Sequence, residues 1–172
     1  MKKVIKIELT PSSIENAIHE VEAFKQKLKD GAKELLRELT RLGYEISSFN
    51  FTWAVYDGTN DVSCRIEERG ENKMAVVAYG NATLFIEFGT GVAFPDDHPE
   101  AAENGMIRGG YGKHQGLNPD GWRYRGNPGT HGVVERNGKV HTYGNPANMS
   151  MYQAMRDVER EFTEIARRVF DG

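Results

Sequence analysis

Ile14, Ile18, Val21, Leu28, Ala32, Leu35, Leu39 and Leu42 recur at steps of three, four and one of seven, with Phe24 one residue off the seam inside that seven. This spacing lines one side of an α-helix. A stripe of that length commits a large part of the chain to one amphipathic rod, whose apolar side must be covered by another element. Asp30-Gly31 interrupts the helix propensity but not the phase, and one interior glycine costs only about 1 kcal/mol relative to alanine. A single bent helix is therefore expected in place of two unrelated ones. Ser12 and Glu15 have the spacing of a capping box at its start, and Gly43 is the expected stop. Upstream, Ile5, Ile7 and Leu9 alternate with Lys6 and Glu8, which predicts a short strand.

A second stripe closes the chain. Met151, Met155, Val158, Phe162, Ile165, Ala166 and Val169 predict a helix of about six turns, with Ser150 and Gln153 repeating the capping-box spacing after Pro146. Between the two helices, aromatic and β-branched runs predict strands at Ser48 to Tyr56, Val62 to Glu68, Met74 to Tyr79 and Ala82 to Phe88. Asp57-Gly58, Gly70 to Asn72 and Gly80-Asn81 separate them, which favours an antiparallel meander with a tight hairpin at Gly80-Asn81. Gly89 to Gly132 is dense in Gly, Pro, Asn and Asp and shows neither period, so it reads as a long loop serving contact with a partner. Val133 to Thr142 reads as a hairpin about Asn137-Gly138, the preferred type I′ pair.

The expected architecture is one α+β domain spanning residues 1–172. An antiparallel sheet packs against a long N-terminal amphipathic helix and a C-terminal helix, with a Gly-rich loop insertion at about 89–132. A chain of 172 residues suits one core.

Charge and cysteine usage restrict the function classes. The net charge of −3 and pI near 6.0 give the chain as a whole no electrostatic reason to coat DNA or an anionic membrane. Cys64 stands alone, which excludes an intramolecular disulfide and a thiolate metal site and suits a reducing compartment. The N-terminal MKKVIKIEL lacks the continuous apolar stretch of a signal peptide, and Met74 to Tyr79, the longest apolar run, is far below the roughly 18 residues of a membrane span. A soluble protein made in a cytoplasm is expected.

Catalytic motifs are weak. His98, His114, His131 and His141 lie in or beside the loop with Asp96, Asp97 and Asp120, but no H-x-H or H-E-x-x-H pair brings ligands together, and polar loop histidines are the favoured reading. Glu87 would pair with Asp96 or Asp97 as acid and base only if it faced inward, whereas strand alternation with Leu84, Ile86 and Phe88 directs it to solvent. No G-x-S-x-G elbow is present, and Cys64 lies inside an alternating strand. Gly109 to Lys113 has the composition of a phosphate loop without its spacing. Arg108, Lys113, Arg123 and Arg125 interleave with Tyr111, Trp122 and Tyr124, a mixture that suits base stacking beside phosphates or, with greater weight, anchoring to a protein surface. No metal, cofactor or catalytic residue is assigned.

Leu84-Phe85-Ile86-Glu87-Phe88-Gly89-Thr90-Gly91, an apolar run ending in E-F-G-T, resembles a signature of the tail-completion and head-tail joining family of tailed-bacteriophage minor structural proteins. Downstream, Gly121-Trp122-Arg123-Tyr124 lies in the Gly-rich insertion. Tyr143-Gly144-Asn145-Pro146-Ala147 and Met149 to Ala154 then resemble that family's closing G-x-P-A element and the opening of its last helix. The order of elements agrees over nearly the whole chain. The resemblance implies a protein without catalysis that acts in tail completion and virion assembly at the head-tail junction or upper tail. It implies ring-forming contacts with further copies of itself and with other neck or tail proteins, with at most a passing contact with DNA and none with membrane. The location it implies is the virion, assembled in the cytoplasm of a bacterial host. The residues it assigns to structure and interface are Glu87, Gly89, Thr90, Gly91, Trp122, Arg123, Tyr124, Arg125, Gly144, Pro146 and Ala147. Pro146 and Ala147 would position the last helix, and Gly89 and Gly91 would let the chain turn sharply. Two other readings stand beside it: a metal-dependent hydrolase using the loop His and Asp residues, and a nucleic-acid-binding module using the basic aromatic loop.

Overall fold

The computed structural model describes residues 3–93, 97–107 and 117–171. Its fold is α+β: a long N-terminal helix, small antiparallel sheets and a C-terminal helix. Helix α1 spans Pro11–Thr52, 42 residues, and so runs about 63 Å at about 1.5 Å per residue. Helix α3 spans Ser150–Asp171, 22 residues, about half that length. They pack antiparallel. Asn50 Nδ2 donates to Ser150 O at one end, Val158 lies against Gly43 midway, Arg168 pairs with Glu38, and Phe170 covers Gly31 at the other end.

The start and end of α1 differ from the sequence expectation. Thr10 is the N-cap, accepting from Ser13 N at 3.3 Å with Pro11 in the first turn, so the Ser12–Glu15 capping box does not form. The expected strand at Ile5 to Leu9 is absent: the segment lies beside the first turns of α1, where Lys3 Nζ meets Glu20 at 3.1 Å, and among the described residues no strand pairs with it. The helix passes through Gly31 and Gly43 without stopping. Both are places of close approach, to Phe170 and to Val158 and Val76 respectively. The buried side of its last turns is Thr40, Gly43, Ser47 and Phe51, a continuing helical stripe of mostly small residues. The strand expected from Ser48 to Tyr56 is therefore largely helix, ending when Asn60 Nδ2 donates to Phe51 O at 2.7 Å.

Strands β1 (Ser63–Glu68) and β2 (Met74–Tyr79) form the expected hairpin, in register from Ser63↔Tyr79 to Glu68↔Met74, and pack on α1. A short helix α2 (Thr83–Phe88) follows where a strand was expected, and Gly80-Asn81 is its entry turn instead of a hairpin. Phe51, Ala82 and Ile86 form the buried cluster between α1, α2 and the hairpin, with Met151 of α3 against it.

The stretch 89–132 is not one featureless loop. It contains β3 (Thr90–Gly91) and β4 (Trp122–Tyr124). Strands β5 (Val133–Val134) and β6 (Val140–Thr142) form the expected hairpin, with β6 in the middle of a three-stranded sheet β4-β6-β5. Its turn carries positive φ at Gly138 alone, with Gly138 N donating to Glu135 O, which is the three-residue loop with a left-handed glycine and not the type I′ pair. Strand β7 (Gly144–Asn145) pairs with β3, so the described residues form three small sheets.

Candidate functional site

The E-F-G-T and G-N-P-A segments, more than fifty residues apart, meet in one buried junction. Thr90 pairs with Asn145 and Gly91 with Gly144. At this closeness side chains are excluded: a Cβ on Gly91 would run into Tyr143 O and one on Gly144 into Thr90 O, and both residues have positive φ. Gly89 ends α2 at φ 76°, where a Cβ would stand 2.7 Å from Ala147 N.

Glu87 is the centre of the junction. It is 5% exposed, in contrast to the solvent-facing position expected from strand alternation. Helical geometry is the reason, since in α2 its side chain leaves the run of Leu84 and Phe85 and points at the start of α3. Its Oε2 accepts from Met151 N at 2.8 Å and its Oε1 from Tyr152 N at 3.0 Å. These are first-turn amides without an intrahelical acceptor, and a carboxylate there also lies at the positive end of the helix dipole. The α3 cap is thus supplied from α2. Ser150 and Gln153 do not form a capping box: Ser150 Oγ accepts from Asn148 Nδ2, and Gln153 N donates to Met149 O.

The third partner of Glu87 is His98, whose Nε2 lies 3.3 Å from Oε1. His98 Nδ1 accepts from Glu100 N at 3.1 Å, so the geometry fits a ring protonated on Nε2 and donating to the carboxylate. The ring lies between Phe88 and Tyr152, with centroids at 4.4 and 5.3 Å. His98 is therefore a core histidine and not a polar loop residue. Helix α2 is bound in return, because Asn148 N and Met149 N donate to Ile86 O and Glu87 O. Ala147 N reaches Asp97 Oδ1 at 3.4 Å.

A second buried carboxylate, Asp57, holds the far side of the same segment. Its Oδ2 accepts from Thr142 Oγ1 at 2.8 Å, its Oδ1 from His131 N at 3.2 Å, and its own N–H donates to Asn145 Oδ1 at 2.8 Å. Burial, then the negative charge of Asp57, then Tyr56 push the Tyr124 phenol up to about 12. Burial, reinforced by Asp61 and then Asp57, raises Tyr56 as well. Both phenols stay neutral at physiological pH.

The remaining sequence candidates fall on the β4-β6-β5 sheet or beyond the described residues. Trp122 and Tyr124 are half-buried on β4, and the Tyr124 hydroxyl donates to Asn127 O at 2.6 Å. Arg123 is held by Glu135 at 2.6 Å, which draws the Glu135 carboxyl below its usual value. Arg125 is exposed. Arg108, Gly109, Gly110, Tyr111, Gly112, Lys113, His114 and Asp96 lie outside the described residues. The basic aromatic cluster is consequently represented here only by Trp122, Arg123, Tyr124 and Arg125. Among the described residues, no three His, Cys, Asp or Glu side chains converge where they would hold an ion, and no helix is long and apolar enough to cross a membrane.

Compared with family models, curated proteins and solved structures, the chain matches none. Its functional reading therefore rests on the residues and on this geometry. Asp57 and Asn148 contribute to the junction without having been given a site role in the sequence, where Asp57 carried only the turn signal of its Asp-Gly pair; His98 was read there as a polar loop histidine and Asn145 only as part of the closing motif.

Proposed function

We propose that this protein is a non-enzymatic structural component of a phage or prophage particle. It acts at the head-tail junction or upper tail in tail completion, as copies arranged in a ring with other neck or tail proteins. The observation that carries this reading is the junction itself. The two segments on which the resemblance to the tail-completion family rests are cross-braced through Glu87 and the β3–β7 pair. A carboxylate that accepts from two helix amides and faces a buried imidazole has its acceptor capacity engaged in holding α2 to α3, and this suits a fixed scaffold better than proton transfer to a substrate. Ring formation calls for two different patches that meet on neighbouring copies. The exposed outer strand β5, with Val133 and Val134 open to solvent, and the half-buried Trp122 on β4 supply apolar surface for such a contact.

The test is deletion of the gene from the phage or prophage that carries it, followed by electron microscopy of the lysate. Filled heads and separate tails are expected to accumulate, with joining restored by the purified protein. Normal yields of complete virions from the deletion strain would refute the proposal.

A further inference from the structure

Helix α3 ends beside Gly31, so the first twenty residues of α1, 11–30, project beyond it as an arm about 30 Å long. Within that arm only Ser13, Ala17 and Phe24 are not exposed. The apolar stripe nonetheless continues toward its tip, with Lys25 standing between Val21 and Leu28: Ile14, Ile18, Val21 and Leu28 are 44%, 53%, 54% and 39% exposed. A stripe of β-branched and leucine residues in helical phase, about half open to water over two heptads, is the seam of a coiled coil lacking its second strand.

The charges on the arm identify that strand. Residues 11–22 carry Glu15, Glu20 and Glu22 and no Lys or Arg, whereas residues 23–33 carry Lys25, Lys27, Lys29 and Lys33 against Asp30 alone. One half is acidic and the other basic, with the change of sign near residue 23. Lys3 already neutralises Glu20 and His19 stands 3.8 Å from Glu22, which leaves Glu15, and Glu22 wherever His19 is neutral, for a partner. A second copy laid antiparallel across residue 23 puts each acidic half on the other copy's basic half. It also places Ile18 opposite Leu28 in that register. A parallel pairing would set like charges together along the whole arm.

We infer that residues 11–33 of α1 form an antiparallel two-helix contact with the same residues of a second copy. The contact is isologous and closes on two copies, so it is separate from the heterologous contacts of any ring. It does not depend on the proposed place in the virion.

The full chain is to be examined by sedimentation equilibrium. The wild type is expected to weigh twice as much as an Ile18→Glu, Val21→Glu variant, whatever larger assembly each forms, while the circular dichroism of the two is the same. Glu15→Lys, Glu22→Lys and Lys25→Glu, Lys29→Glu variants should each lose the pairing alone and recover it when mixed. In a Cys64→Ser background, Val21→Cys should cross-link between copies with a short bis-maleimide and Ile14→Cys should not. A wild type that is monomeric at every concentration, or a mass unmoved by Ile18→Glu, Val21→Glu, would overturn the inference. Cross-linking through Ile14→Cys as efficient as through Val21→Cys would overturn the antiparallel register.

Discussion

The two ends of the long helix live in different physical environments. Around its last turns, Ser47 and Phe51 are fully buried, and the neighbouring carboxylates Glu87 and Asp57 have their oxygens matched to donors from α3, β6 and the loops. Along its first twenty residues, apolar side chains in equally good helical phase stand in water. The same periodicity thus has two meanings. Where small residues such as Thr40, Gly43 and Ser47 line the stripe, a partner from the same chain comes close. Where Ile, Val and Leu line it beyond the reach of α3, they are left 39% to 54% exposed.

The largest effect is expected at the buried end. Glu87→Ala leaves two first-turn amides of α3 and the His98 ring without their acceptor in a site closed to water. It should cost about 3 to 5 kcal/mol, the range seen when one member of a buried, hydrogen-bonded polar pair is removed. Glu87→Gln keeps one acceptor oxygen and the side-chain volume, and should cost about half as much. Urea unfolding followed by circular dichroism measures both. A loss below about 1 kcal/mol for the alanine variant, the size of an ordinary exposed cap, would mean that the junction is wetter than its geometry indicates.

What the sequence reveals follows the same division. The α3 stripe, the β1–β2 hairpin and the α+β class are legible because each rests on local periodicity and turn residues. Helix α2 is not, and the reason is specific. Thr83 to Phe88 is a short apolar run without period, and such a run is equally compatible with strand and buried helix. Both its ends are satisfied from far away: Asp61 accepts from Asn81 N and Ala82 N at the start, while Asn148 N and Met149 N donate to its last carbonyls. No window of neighbouring residues contains that information. Glu87 was singled out through its motif but placed facing solvent, because its orientation depends on reading the segment as helix. The overrun of α1 past Gly43 was in principle readable, since Thr40, Gly43, Ser47 and Phe51 keep the phase. A glycine followed by aromatic and β-branched residues concealed it.

Asp61 stands between the two extremes, exposed yet fixed to the start of α2. The two backbone amides, Ala82 first and then Asn81, hold its carboxyl below the usual value of 3.8. A carboxylate with a lowered folded-state pKa contributes stability that is complete above the unfolded value. That contribution is lost as pH falls through the still lower folded value. The wild type should therefore exceed Asp61→Asn in stability from neutral pH down to about 4, and the difference should shrink steadily below that. Urea midpoints of the two proteins along a pH series provide the check. A difference that stayed constant into the acid range would show that the amide caps α2 as well as the carboxylate and that charge plays no part.

The smallest effect is expected on the arm. Val21→Ser removes an apolar group that the same chain leaves 54% exposed, so the unfolding free energy of the isolated protomer should move by no more than about 0.5 kcal/mol, as for other open surface positions. The informative quantity is its dependence on concentration. If copies pair through the arm, pairing stabilises the wild type by mass action, and its thermal midpoint rises with protein concentration. Val21→Ser should flatten that rise while matching the wild type at high dilution. A wild-type midpoint that ignores concentration, together with a large loss for Val21→Ser, would show that the arm is covered from within the chain, and the contrast between the two ends of α1 would disappear.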